Sequence, residues 1–206
     1  MAWTTPGTAT AGEVLTAAFW NTNVRDNLND HETRIVAAPQ TIQTITLSGT
    51  GSITFSSIPQ TYTHLQLVYR IKVAKIVGPH GLVIRFEGDG AANYSFNYIQ
   101  TNNTTVTGLT TIGTALPIVG VVPGAGGTAG YFGTGIITIS NYRDTSYQKR
   151  WNVSSSFMDT TAASSFIRQS GGLWTSTSAI TQITLHDDSG TNSHLTGSTA
   201  TLIGIP

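Results

Sequence analysis

A glycine-rich segment, residues 123–130 (PGAGGTAG), contains the GxGxxA spacing that is the minimal fingerprint of a dinucleotide-binding loop. A functional fingerprint requires a helix directly after the glycines, because the helix N-terminus meets the pyrophosphate. Here residues 131–135 (YFGTG) and then a β-branched stretch follow instead. The segment therefore predicts a loop between strands, and no cofactor is expected.

A second segment places His186, Asp187 and Asp188 beside each other after an apparent strand. Two carboxylates and an imidazole offer ligands to a cation, and carboxylate oxygens suit Ca²⁺. However, adjacent residues of a strand point to opposite faces, and Asp-Asp-Ser-Gly is also a common turn. Whether residues 186–188 bind a cation stays open, and no metal ligands are assigned.

Catalytic signatures are missing elsewhere in the sequence. The five histidines and many serines permit a Ser-His-Asp arrangement, but no serine occupies the GxSxG motif of a strained elbow. GxxxxGK[ST] and HExxH are absent as well. We therefore expect no catalytic residues and no enzymatic activity.

Three aromatic residues alternate along one apparent strand: Tyr94, Phe96 and Tyr98 share a face, opposite Ser95 and Asn97. If that face is exposed, the rings form a platform on which a sugar stacks. If it is buried, they are part of an ordinary sandwich core. Both interpretations remain open.

The composition limits the classes of partner. Hydrophobic residues make up 39% of the chain and charged residues 10%, against about 25% charged in an average domain. Threonine alternates with Val, Ile, Phe and Tyr, which is typical of half-exposed sheets. Lys plus Arg equals Asp plus Glu at 10 each, so binding to nucleic acid is not expected.

There is no cysteine, no signal-peptide pattern and no apolar run of the roughly 20 residues that span a bilayer. We expect synthesis in the cytoplasm and no membrane partner.

The chain begins with two segments that precede the sheets. Residues 1–15 contain Pro6, Gly7 and Gly12 with one large side chain, Trp3, and no hydrophobic periodicity. Such a segment buries too little apolar surface to order itself alone. It is interpreted as an extended docking arm anchored by Trp3, and a frayed terminus is the other interpretation.

Residues 16–38 are predicted to form the one helix, with Thr16 as its N-cap and Pro39 just beyond its end. A narrow apolar seam runs along it at spacings of three and four, and we assign docking or oligomerisation to Trp20, Val24, Leu28 and Ile35. A seam this narrow favours a coiled-coil contact between copies, for which we expect a homotrimer. A helix lying on its own β-domain is the other interpretation.

Residues 40–206 show strand patterns throughout. Residues 64–73 alternate apolar and polar side chains, as a long half-buried strand does. Residues 86–94 contain Gly-Asp-Gly and predict a hairpin, and the Thr- and Gly-rich residues 101–130 are the expected long loop. The fold predicted is all-β, a jelly-roll-like β-sandwich preceded by the arm and one α-helix. The other candidate strands are 41–47, 51–56, 81–87, 93–100, 130–140, 147–158, 163–170, 179–187 and 197–205.

Several segments resemble virion proteins of tailed bacteriophages, of the head-decoration, tail-fibre and minor-tail type. The resemblance is carried by residues 2–6 (AWTTP), 11–18 (AGEVLTAA), 20–29 (WNTNVRDNLN), 55–65 (FSSIPQTYTHL), 85–89 (RFEGD) with 93–94 (NY), and 197–205 (GSTATLIGI). It implies an N-terminal virion-docking segment and a location on the particle surface. The expected function is a non-enzymatic capsid decoration or cement protein that binds the major capsid protein or other virion proteins. The alternative is a short tail fibre that recognises host-surface carbohydrate.

Overall fold

The structure is a computed structural model that describes residues 16–36, 38–76, 78–159, 164–189 and 193–206. The chain divides into two compact units, one formed by residues 1–40 with Pro206 and one formed by residues 41–205. The expected arm, residues 1–15 with Trp3, lies outside the described residues.

The first unit contains a helical segment in three parts. Helix α1 (Ala17–Trp20) passes into a π-helical turn (Asn21–Arg25), which continues as helix α2 (Asp26–Val36). The Thr16 side chain caps the start by accepting a hydrogen bond of 3.1 Å from the Phe19 backbone N–H. The predicted N-cap is therefore confirmed, and the helical segment ends at Val36, ahead of Pro39.

The second unit is a sandwich of an eight-stranded and a four-stranded sheet. Large-sheet strands follow the order β1-β12-β3-β8-β9-β10-β5-β6, and those of the small sheet follow β2-β11-β4-β7. The bounds are β1 Gln40–Thr46, β2 Ile53–Phe55, β3 His64–Ile71, β4 Pro79–Phe86, β5 Tyr94–Asn102, β6 Thr105–Thr114, β7 Ile118–Pro123, β8 Gly133–Ser140, β9 Lys149–Asp159, β10 Ser164–Trp174, β11 Ile183–Asp187 and β12 Thr199–Ile205.

The strand pairings are antiparallel, and the chain crosses repeatedly between the two sheets. Strands β8, β9 and β10 are neighbours in the large sheet, whereas β4, β7 and β11 belong to the small one. The predicted all-β, sandwich-like fold is confirmed. Its sheets are unequal, eight strands against four, whereas a regular jelly roll divides eight strands between two sheets.

The core lies between the sheets and is built from the inward-facing residues of each strand. Strand β3 illustrates the pattern, because Leu65, Leu67, Tyr69 and Ile71 are buried while the alternate residues face outward. A cluster of large rings fills one part of the core; its members are Phe86, Tyr94, Trp151 and Trp174. Gly172 makes room for Trp151, since a Cβ at residue 172 would lie 2.1 Å from Cζ2 of that indole.

Two expectations from the sequence are wrong. Residues 101–130 are not one long loop, because they contain strands β6 and β7. Residues 86–94 do not form a hairpin, because β4 and β5 belong to different sheets and the segment crosses between them. Tyr94 stabilises this crossing, since its hydroxyl accepts a hydrogen bond of 3.1 Å from the Phe86 N–H.

One of the two edges of the small sheet, strand β7, accepts hydrogen bonds from side chains of the large sheet. Strand β7 has β4 as its one neighbour and carries a bulge opposite Leu82 and Val83, so backbone carbonyls on its other side need donors. The buried Arg168 donates to the Gly120 carbonyl at 3.0 Å, and the buried Ser170 hydroxyl donates to the Val119 carbonyl at 3.0 Å. These bonds satisfy two carbonyls of an edge strand that would otherwise lack donors there.

Candidate functional site

The helical seam is exposed where the structure describes its side chains. Trp20 is 54% exposed and Leu28 is 61% exposed, whereas Val24 is half-buried. Ile35 lies in helix α2, but its side chain is outside the described residues, as is all of Trp3. Two of the five assigned residues are therefore shown as large apolar side chains facing solvent, the feature expected of a docking surface.

Polar residues take the buried positions of the same helix. Asn27 and Asp30 are 4% and 6% exposed, although the sequence pattern places them away from the apolar seam. The π-helical turn between Trp20 and Asp26 explains part of this difference, because a wider turn shifts every following side chain around the axis. Sequence periodicity assumes a uniform helix and gives no signal for such a turn.

The GxGxxA segment forms a loop that leads into strand β8, and no helix begins in these described residues. The buried Lys72 ammonium donates to the carbonyls of Gly127 and Thr128, each at 2.9 Å. Asp159 accepts from the Thr128 backbone N–H at 3.2 Å and from its hydroxyl at 3.0 Å. The loop is therefore held from both sides by charged residues of the sandwich, and it offers no helix N-terminus to a phosphate.

The three residues of the candidate cation site, 186–188, are buried or paired with neighbouring residues of the sandwich. Asp188 forms an ion pair of 2.6 Å with Lys75 and accepts from the Gly81 N–H at 3.1 Å. Partial burial opposes its ionisation, but Lys75 and the Gly81 N–H lower the pKa of Asp188 below its usual value. His186 and Asp187 are buried on strand β11. Within the described ranges, no three His, Asp or Glu side chains are grouped so as to hold a metal ion.

The aromatic face of β5 belongs to the core. Tyr94 and Phe96 are buried, and Tyr98 is half-buried beneath the Arg168 guanidinium, which lies 4.1 Å from the ring centroid. Burial raises the pKa of Tyr94 to about 12. Asp89, beside this cluster, accepts from Trp174 Nε1 at 2.7 Å. The core interpretation is therefore confirmed, and these rings form no sugar-stacking platform.

The outer face of the eight-stranded sheet is a second surface that the described residues of this unit form. Its outward-facing side chains on β12, β3, β8, β9, β10 and β5 include two arginines, Arg70 and Arg150, and no carboxylate. At its centre, Gly171 of β10 pairs with Asn152 of β9 on one side and with Asn97 of β5 on the other. A Cβ built on Gly171 would lie 3.3 Å from Asn152 Oδ1 and 3.7 Å from Asn97 Oδ1, so the two amides converge over the glycine.

Aliphatic side chains share this outer face with hydroxyls and amides. Val68 and Ile136 are direct neighbours on β3 and β8, and Ile99 and Ile167 lie further along the same face. Gln169 donates to the Ser154 hydroxyl at 2.8 Å on the adjacent strand. The face can therefore accept a neutral, hydrogen-bonding partner but offers no acidic group for general acid or base catalysis.

No family model, curated protein or solved structure matches the chain. The described part of the chain contains no helix long and apolar enough to cross a membrane. By its structure the chain is an all-β sandwich with two antiparallel sheets of unequal size. A helical segment with an exposed apolar seam precedes the sheets in sequence.

Proposed function

We propose that this chain is a non-enzymatic structural protein of a tailed-phage virion, a capsid decoration or cement protein attached through its N-terminal arm and helical segment. The exposure of Trp20 and Leu28 carries the proposal, because both lie in the segment that resembles the start of phage virion proteins. Large apolar side chains left in solvent mark a surface that is covered in an assembly. The proposed partners are the major capsid protein and further copies of the chain, as a homotrimer.

The described elements favour the capsid over the tail. They comprise one helical segment and one sandwich, and none of these described elements forms a shaft that would hold a receptor-binding tip away from the particle. A cement protein stabilises the shell by mass action, since it binds the assembled form and adds RT ln(1 + [L]/Kd) per site. Many weak sites therefore sum to a large effect.

Particles that lack the protein distinguish the capsid from the tail. If the chain is a cement protein, these particles lose DNA at lower temperature or after osmotic shock and still adsorb to host cells normally. The protein is then present in a copy number comparable with that of the major capsid protein. Unchanged heat tolerance, low copy number and failed adsorption together would reject the decoration role.

Deletion of residues 2–13 tests the docking arm. The described strands begin at Gln40, so the β-domain is expected to keep its circular dichroism spectrum and unfolding midpoint. Incorporation into particles is expected to be lost because the arm supplies Trp3. Normal incorporation of the shortened chain would remove the arm from the docking surface.

A second candidate function is a short tail fibre that binds a neutral host-surface glycan. The observation that favours it is the outer face of the large sheet, where Asn97 and Asn152 converge over Gly171 without a neighbouring carboxylate. Side-chain amides both donate and accept, which suits the hydroxyl groups of a sugar. Under this candidate, Asn152→Ala with Asn97→Ala reduces adsorption of particles to host cells, while Ser140→Ala on the same face leaves it unchanged.

A further inference from the structure

Strand β6 is a free edge of the large sheet and lacks the usual protection of such edges. Among the described strands it has β5 as its one neighbour, and its sequence, TVTGLTTIGT, contains no charged residue and no proline. Natural proteins normally protect an exposed edge with lysine, proline or a covering element, because unpaired N–H and C=O groups otherwise pair with another chain. The edge of β7 in this same molecule is closed by Arg168 and Ser170 and ends at Pro123. The β6 edge differs from the β7 edge in this respect.

The apolar side chains of β6 are exposed on both of its faces. Val106 is 61% exposed, Leu109 is 45% exposed and Ile112 is 82% exposed. Leu109 is paired with Tyr98 and so lies on the inner side of the sheet, whereas Val106 is paired with Thr101 and lies on the outer side. A strand in the interior of a sheet would cover such residues with neighbours on both sides. Strand β6 has a neighbouring described strand on one side only.

The sequence of β6 is symmetric about Leu109 in the manner that antiparallel self-pairing requires. If Leu109 faces Leu109 of a second copy, Val106 faces Ile112 and Thr107 faces Thr111. These pairs match apolar with apolar or hydroxyl with hydroxyl, and Gly108 opposite Thr110 is the one unmatched pair within residues 106–112. Residues directly opposite in an antiparallel pair share a face. The two residues of each pair therefore lie on the same side of the joined sheet.

Hydroxyl pairs and aliphatic pairs of this kind already occur across neighbouring strands of the large sheet. Threonine hydroxyls meet across β1 and β12, where Thr44 and Thr201 are 2.9 Å apart and Thr46 and Thr199 are 2.6 Å apart. Aliphatic residues pair across β3 and β8, where Val68 faces Ile136. A joined β6 pair therefore repeats cross-strand contacts that stabilise the rest of the sheet.

We propose that β6 is a homotypic docking edge, at which two copies of the β-domain pair antiparallel about a two-fold axis through Leu109. The pairing spans residues 106–112 and stops at the irregularity next to Gly113, whose φ of +67° ends the regular strand. A two-fold contact uses the same patch on both copies, so it requires the self-complementarity that β6 has and that a strand evolved for an unrelated partner does not need. The contact is independent of the helical seam and of the proposed virion role.

Charge substitutions at the axis test this arrangement. Because Leu109 faces its own copy, Leu109→Lys brings two ammonium groups together, and Leu109→Glu brings two carboxylates together. Each variant alone is expected to weaken association at least about tenfold. An equimolar mixture of the two is expected to regain it, since lysine of one copy then faces glutamate of the other. Ile167→Lys, on an exposed position of β10, is the matched control.

Sedimentation velocity of the full-length protein, from sub-micromolar to high-micromolar concentration, gives the readout. The wild type and Ile167→Lys are expected to show a concentration-dependent species that both Leu109 variants lack and that their mixture restores. A wild type without this species, or one that Leu109→Lys leaves intact, overturns the docking edge. Loss in both variants without recovery in the mixture overturns the two-fold pairing.

The same measurement separates this contact from the helical seam. Replacement of Trp20 and Leu28 with alanine changes only the association that the seam provides, and Leu109→Lys changes only the association at β6. If the β6 contact is not found, the association through the helical seam can still be observed, and the reverse also holds. Neither result depends on whether particles incorporate the protein.

Discussion

Replacement of Ser170 with alanine removes one of the two side-chain donors that close the free edge of strand β7. The hydroxyl is buried and donates to the Val119 carbonyl at 3.0 Å, at the bulge where the small sheet meets the large one. Alanine keeps the backbone and nearly the same volume, so no cavity forms. The Val119 carbonyl, which is itself in a buried residue, loses this donor.

The size of the effect follows from the asymmetry between forming and losing a buried hydrogen bond. A buried carbonyl left without its donor costs about 1–3 kcal/mol, while the bond itself contributes only about 1 kcal/mol net. A change of 1 kcal/mol lowers Tm by roughly 2–4 °C in a domain of this size. We therefore expect Ser170→Ala to lower the Tm of the β-domain by about 2–12 °C.

Ser165→Ala provides the matched comparison, because Ser165 lies on the same strand and faces the other side of the sheet. Chemical denaturation monitored by tryptophan fluorescence measures both variants against the wild type. Equal slopes with different midpoints indicate a pure change in stability. If the two serine variants agree within about 0.5 kcal/mol, the range of ordinary surface substitutions, Ser170 does not close the β7 edge.

Three further predictions concern the core, the response to acid and the helical seam. Gly172→Ala is expected to cost about 1–3 kcal/mol, because its Cβ would lie 2.1 Å from the Trp151 ring, and to alter the near-UV circular dichroism of the aromatic cluster. Gly171→Ala, whose nearest contact is an amide oxygen at 3.3 Å, is the control expected to change little. Burial holds the pKa of His194 below its ordinary value, so below about pH 6.5 the unfolded chain takes up a proton before the folded one does. Stability is therefore expected to fall as the pH drops below that value, and His194→Gln should flatten the dependence measured by urea midpoints between neutral and mildly acidic pH; an unchanged slope would contradict the assignment. Trp20→Ala with Leu28→Ala is expected to leave the β-domain midpoint unchanged and to reduce co-purification with particles, whereas a Ser48→Ala control should co-purify normally.

The all-β fold was predictable because its signal is local. Alternation along residues 64–73 predicts a half-buried strand, and β3 shows that burial pattern from His64 to Ile71. Strands β6 and β7 were missed for different physical reasons. Strand β6 is exposed on both faces and needs no apolar alternation, while β7 is buried on nearly every residue and shows a continuous apolar run.

The assignment of strands to sheets could not be read from neighbouring residues. Gly88-Asp89-Gly90 is an ordinary turn signal, but the chain uses it to pass from one sheet to the other. The donors that close β7 come from β10, about fifty residues further along the chain. Such contacts depend on which strands become neighbours, and periodicity along one segment holds no information about that.

For the helical segment, the composition of the seam was predictable, but its geometry was not. The sequence places Trp20 and Leu28 in one seam, and both are exposed. Burial of Asn27 and Asp30 has no counterpart in the apolar pattern. Hydropathy alone assigns polar side chains to the solvent side, so it misplaces polar residues that are buried.

The relative direction of Trp20 and Leu28 depends on whether the residues between them, Asn21–Arg25, form a π-helical or an α-helical turn. A π-helical turn accommodates one residue more than a regular helix, and one residue corresponds to about 100° of rotation around the axis. Deleting one residue from the turn would convert it to regular α-helix and leave the indole and the leucine in nearly the same relative direction, because the deletion removes the extra residue that the wider turn holds. Converting the turn to regular α-helix with all its residues kept would instead swing the indole away from the leucine by about 100°. Substitutions that favour regular α-helix in this short stretch can therefore redirect what the helix binds, although both seam residues stay in place.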